Sequence, residues 1–98
     1  MTGTVHVPIA VSPLKGHRAT LFTITWAAGA APSGFVYYVE IRRPGERHWK
    51  SWETGVTSNS HRFKPDAGVG RYRFRARLRK VSIDQHSNYS IDKSIDVR

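Results

Sequence analysis

Five arginines stand at every second position of one short run: Arg71, Arg73, Arg75, Arg77 and Arg79. Each guanidinium is permanently charged and presents a planar fork of N–H donors, so a row of them is suited to gripping carboxylate, sulfate or phosphate groups. The positions between are Tyr72, Phe74, Ala76 and Leu78. Apolar residues alternating with cations at a period of two describe a half-buried β-strand. A helix would scatter these arginines around its axis, whereas a strand places all five on one surface. Arg42, with Arg43, Arg47 and Lys50, extends the candidate anion- or partner-binding set. Trp49 and Trp52 join that set, and their spacing of three puts them on opposite faces of a regular strand. An exposed tryptophan beside cations offers a stacking surface to a sugar or a protein. Two shielded ones would instead cap the core or pack on arginine stems.

Side chains two apart on a strand are about 6.5–7 Å apart. Each neighbouring arginine pair therefore repels by roughly 0.6 kcal/mol in water, and the four adjacent pairs by roughly 2–2.5 kcal/mol at low ionic strength. Acidic neighbours, salt or an external anion must offset this. Glu40, Asp92 and Asp96 are the carboxylates expected to face the row, and Tyr38 is a ring on which a guanidinium can stack. Two readings follow: an internal ladder of salt bridges and cation–π contacts, or an anion-binding face. Three carboxylates do not neutralise nine cations, so positive potential survives under either.

Other chemistry is sparse. His6, His17, His48, His61 and His86 are dispersed, with no metal-ligand spacing and no acidic cluster beside them. No serine lies in a nucleophile-elbow sequence, and Gly68-Val69-Gly70 lacks the lysine and helix of a phosphate loop. A non-enzymatic chain without cofactor or metal is expected. Asn88-Tyr89-Ser90 fits a glycosylation acceptor.

The elements that must hold the arginines can be read along the chain. Ninety-eight residues suit a single domain, 1–98. The hydrophobic fraction of 39% argues against disorder. No cysteine is present, which excludes disulfides and thiolate metal sites. Sixteen Lys and Arg against seven Asp and Glu give a net charge of +9, a field that attracts polyanions. No apolar run is long enough for a membrane-spanning helix, so no membrane insertion is expected; Met1-Thr2-Gly3-Thr4-Val5-His6 shows neither a basic leader nor an apolar signal core, so no signal peptide is expected within this sequence.

Strand patterns fall at 5–11, 19–26, 35–42, 48–54, 57–63, 70–79 and 89–97. Pro8 marks the first as an edge strand. Residues 12–16 read as a turn, 27–34 as a small-residue loop, Pro44-Gly45 as a tight turn and 82–88 as a loop. Phe35, Tyr37, Val39 and Ile41 share an inner face, as do Ile91, Ile95 and Val97. Lys93 has the phase of that last set, which predicts a bulge, a break or an exposed end beside it. Seven strands, no helix and no repeat indicate a β-sandwich.

Across nearly its whole length the chain resembles the fibronectin type III family. The residues that carry the likeness are Pro8, Ile24-Thr25-Trp26, Tyr37-Tyr38-Val39-Glu40-Ile41, Trp49, Tyr72-Arg73-Phe74-Arg75-Ala76-Arg77 and Asn88-Tyr89-Ser90, in the expected order. The resemblance implies a seven-stranded antiparallel immunoglobulin-like sandwich, three strands against four. Trp26, Tyr37, Tyr72 and Phe74 would lie in its core, and the Tyr72 hydroxyl would reach back to upstream backbone as a tyrosine corner. The family usually has leucine six residues before that tyrosine. Here the position is Asp66 and the nearest large apolar residue is Phe63, which predicts a longer loop. No Arg-Gly-Asp triplet is present, so an integrin contact is not carried over.

By the same resemblance the expected role is a spacer or protein-interaction module of a larger extracellular or surface-associated protein, monomeric as an isolated domain. The alternative is a polyanion-binding module using the arginine face. The partner expected is a protein or an acidic polysaccharide, with nucleic acid weighed and not favoured.

Overall fold

A computed structural model describes residues 9–27, 29–83, 85–86 and 89–98, the side chains of 85 and 86 excepted. Pro8 and Asn88, and with them the edge-strand and glycosylation expectations, lie outside the described residues.

Alternation of apolar and polar residues becomes strand wherever it is sustained. The strands are β1 (Ala10–Ser12), β2 (Lys15–Gly16), β3 (Phe22–Thr25), β4 (Phe35–Arg42), β5 (Lys50–Val56), β6 (Ser60–Phe63), β7 (Gly70–Lys80), β8 (Gln85–His86) and β9 (Lys93–Val97). They form two sheets. The smaller has the order β1-β3-β6; the larger runs β2-β9-β7-β4-β5, with β8 also paired to β7.

Two segments depart from the expected seven antiparallel strands. The turn predicted for 12–16 contains β2, which crosses to the larger sheet and pairs parallel with β9, Lys15 opposite Asp96. The loop predicted for 82–88 contains β8 and is preceded by a single 3-10 turn, Val81–Ile83. Both are short annexes at sheet edges. The three-against-four core of the sandwich stands as the pattern implied.

The core forms where the inward faces meet. Phe22, Ile24, Trp26, Val39, Ile41, Tyr72, Phe74, Ala76 and Ile95 are completely buried, and Tyr37, Phe63 and Val97 nearly so. Trp26 satisfies its indole N–H by donating to the Ser58 carbonyl at 2.8 Å, as a buried polar tip requires. Phe35, expected on the inner face, is only half-buried because it sits at the end of β4. Ile91 is a correction: it is 82% exposed. The strand that should have turned it inward begins only at Lys93, whose charge is accommodated at the exposed strand end.

Two glycines fix the lower end of the arginine strand. Pro44 and Gly45 occupy the centre of a turn closed by the Glu46 N–H donating to the Arg43 carbonyl at 3.0 Å. Gly45 has φ +82°, the value the third residue of such a turn needs. Gly70, at the start of β7, has φ +134°, and a Cβ there would sit 2.7 Å from Pro44 Cβ. The turn therefore lies directly on the first residue of the strand that carries the arginines.

Candidate functional site

β7 lies between β4 and β9 in the larger sheet, so its five arginines project from the outer face in register with two neighbours. Arg71 stands opposite Asp96 on β9. On β4, Arg73 stands opposite Arg42, Arg75 opposite Glu40 and Arg77 opposite Tyr38. The antiparallel register thus decides which cation meets which partner, row by row.

The middle of the face is the most tightly built. Arg75 ion-pairs with Glu40 at 2.6 Å. Its guanidinium also lies 4.5 Å from the Trp49 ring centroid and 3.9 Å from that of Tyr89. Arg77 is 4.7 Å from Tyr89 and 5.9 Å from Tyr38. Arg79 lies 5.8 Å from the Tyr38 ring and donates to its hydroxyl at 2.9 Å. Rings and guanidiniums therefore alternate as Trp49, Arg75, Tyr89, Arg77, Tyr38, Arg79. Stacking spreads each charge over a π-face and holds the long side chains in place. Burial raises the Tyr89 phenol above its ordinary range, and the neighbouring Glu40 carboxylate adds to the effect.

The end near the turn is more open. Arg71 donates to Asp96 at 2.9 Å, with side chains 56% and 43% exposed. Arg73 reaches Asp92 at 3.2 Å. Arg43 grips Asp66 with both arms of its fork, at 2.7 and 2.8 Å. These bonds hold Asp66 and Asp96 below the usual carboxylate range. Arg42 lies 5.9 Å from the Trp49 ring. Among the described residues no carboxylate is within ion-pair distance of it. Arg42, Arg43, Arg71 and Arg73 line an open depression of about 240 Å³ beside the turn.

The structure brings Arg42, Trp49 and the five arginines of β7 onto one face. It does not bring Trp52 there. Trp52 turns inward, with edge contacts to Trp26 at 6.1 Å, Phe63 at 5.7 Å and Phe74 at 5.2 Å. The two tryptophans do occupy opposite faces, as their spacing implies.

Two participants were missed from sequence. Tyr89 heads the strand expected over 89–97 but lies outside any strand, between β8 and β9, so alternation did not place it against the arginines. Ser90 places it: the Ala76 N–H donates to Ser90 Oγ at 3.0 Å, and the Ser90 N–H donates to the Ala76 carbonyl at 2.8 Å. The Arg43–Asp66 pair joins residues 23 apart on two loops, which spacing alone does not reveal.

Chemically, the arrangement can hold an oxyanion or present a rigid contact surface. Among the described residues no group of three or more metal-binding side chains lies together. Among the described residues no helix is long and apolar enough to cross a membrane.

No family model and no curated protein sequence matches the chain. Solved structures do. An Fn3-like protein from Clostridium thermocellum superposes with a TM-score of 0.61 at 14% identity, over 93% of this chain and 88% of that one. The chicken CNTN1 FN1-FN3 domains superpose with a TM-score of 0.63 at 17% identity, over 96% of this chain and 34% of theirs. With its two-sheet order and its aromatic interior, the chain has the fibronectin type III fold.

Proposed function

We propose that the chain is a non-catalytic interaction module or spacer within a larger extracellular or surface-associated protein. The observation that carries this is the alternating stack on the outer sheet face. Six interleaved side chains hold one another in place, which lowers the entropy lost when a partner docks. The chain also spans about a third of the CNTN1 chain it superposes on, as one domain in a row would.

Exchange within the parent protein tests this. An unrelated sandwich of equal span should preserve assembly if the chain is a spacer. If it is an interaction module, the exchange should abolish assembly, and this chain should restore it where its Trp49→Ala, Tyr38→Ala variant does not. A turnover activity retained by the isolated chain would overturn both.

A second reading, polyanion binding by the arginine face, has its own support. All six side-chain carboxylates among the described residues already have a partner. The formal charge is still +9.

A further inference from the structure

The arginine face is uneven. Where Arg75 faces Glu40 and Arg71 faces Asp96, the sheet pairs opposite charges. Where Arg42 faces Arg73 it pairs like charges, an arrangement that destabilises a sheet unless something lies between them. That row borders the depression beside the turn.

We infer that this depression binds one sulfate group of a sulfated polysaccharide, with Arg42 and Arg73 as its principal donors and Arg71 and Arg43 at the rim. The inference rests on the polyanion reading and gives it a location and a ligand class. Donors are in supply. Arg73 gives Nη1 to Asp92 and Arg71 gives Nε to Asp96, and each guanidinium has five N–H groups. The acidic group at the rim, Glu46, is already engaged; it accepts from the Arg43 N–H at 2.9 Å and pairs with Lys50 at 2.9 Å.

The shape of the anion follows from the number of forks. Arg42 and Arg73 stand opposite each other on adjacent strands and both line the depression, so two forks are on hand, which suits a tetrahedral group with three free oxygens better than a flat carboxylate that one fork satisfies. Single-stranded nucleic acid needs aromatic platforms for its bases. Among the described residues no aromatic ring lines the depression, and the ring beside Arg42, Trp49, is already stacked on Arg75. A sulfated sugar needs no such platform.

The test uses the whole chain, a heparin decasaccharide, its desulfated counterpart and a single-stranded oligonucleotide of matched charge, titrated at several salt concentrations. The sulfated sugar is expected to bind and the desulfated one to lose about tenfold or more, because the charged contact goes with the sulfate. Arg42→Gln with Arg73→Gln should weaken binding about tenfold and lower the log–log salt slope by nearly two. An equal charge removal at β6 of the smaller sheet, Arg62→Gln on the strand with Lys64→Gln just after it, should change affinity less than about threefold, because screening confines a charge's influence to about 10 Å.

If the first double variant melts early, Arg42→Lys with Arg73→Lys keeps both charges and removes both forks, and should still bind more weakly than the parent. Equal losses in the two Gln double variants, or none in the first, overturn the depression while leaving polyanion binding in place. Tighter binding of the oligonucleotide overturns the ligand class. Absence of salt-sensitive binding to any probe overturns the polyanion reading itself.

Discussion

At Tyr72 one hydroxyl closes the loop that leads into the arginine strand. It accepts from the Ala67 N–H at 2.8 Å and donates to the Gly68 carbonyl at 2.8 Å. Tyr72→Phe leaves the ring buried but strips both backbone groups of their partner, so it should cost about 1–3 kcal/mol. An unchanged denaturant midpoint would show that water replaces the hydroxyl. The identity of the corner residue was legible from the family resemblance, in which Tyr72 takes the corner position. The loop was not, because Asp66 stands where the family has leucine. The structure gives Asp66 a different task, a forked bond to Arg43, and leaves the core contact to Phe63, 5.3 Å from the Tyr72 ring. A consequence in pH follows. The folded chain holds Asp66 below its unfolded value, so its contribution is fully present above about pH 4 and is lost as pH falls through the folded value. Asp66→Asn should therefore be less stable than the parent near neutrality and converge with it in acid. Parallel stability curves down to pH 2 would contradict this.

Among the elements, β7 shows what alternation reveals and what it hides. The inward Tyr72, Phe74 and Ala76 and the outward arginines follow from period two alone. So do Glu40 and Asp96 as partners, once β4 and β9 are known to flank the strand. Tyr89 was not legible, because it is pinned by Ser90 to the Ala76 backbone rather than by membership of a strand. Its effect is large, since it turns a row of repelling charges into a stack around Arg75. Arg75→Lys separates charge from shape. Lysine keeps the attraction to Glu40 but lacks the planar fork that fits between two rings. The substitution should cost about 1–2 kcal/mol, a sum of lost stacking and of the lost paired approach of Nε and Nη2 to Glu40 Oε1. Arg79→Lys, at the end of the stack, should cost less. Equal melting of Arg75→Lys and the parent would mean that charge alone stabilises this face.

For the whole molecule, the seam between the sheets is what stability depends on, because no disulfide constrains the unfolded chain. An aromatic cluster bridges the seam: Phe63 from the small sheet meets Phe74 from the large one at 5.2 Å, and Trp52 touches both as well as Trp26. The fold was readable because burying such rings leaves few arrangements of alternating strands. The partner was not, since a sandwich serves many roles and the structural matches share only 14% and 17% identity with this chain. The three tryptophans divide along the same line. Trp26 is wholly enclosed, so Trp26→Ala opens a cavity between the sheets and should cost about 3–5 kcal/mol. Typical domains hold only about 5–15 kcal/mol in all, so this variant should lose much of its cooperative thermal transition. Trp49 lies outside, against Arg75 and Arg42, and Trp49→Ala removes cation–π contacts worth about 0.5–2 kcal/mol without touching the interior. The two variants should therefore separate by several degrees or more in melting temperature. Should Trp49→Ala prove as damaging as Trp26→Ala, the outer stack would be part of what holds the sandwich together rather than a surface laid on it.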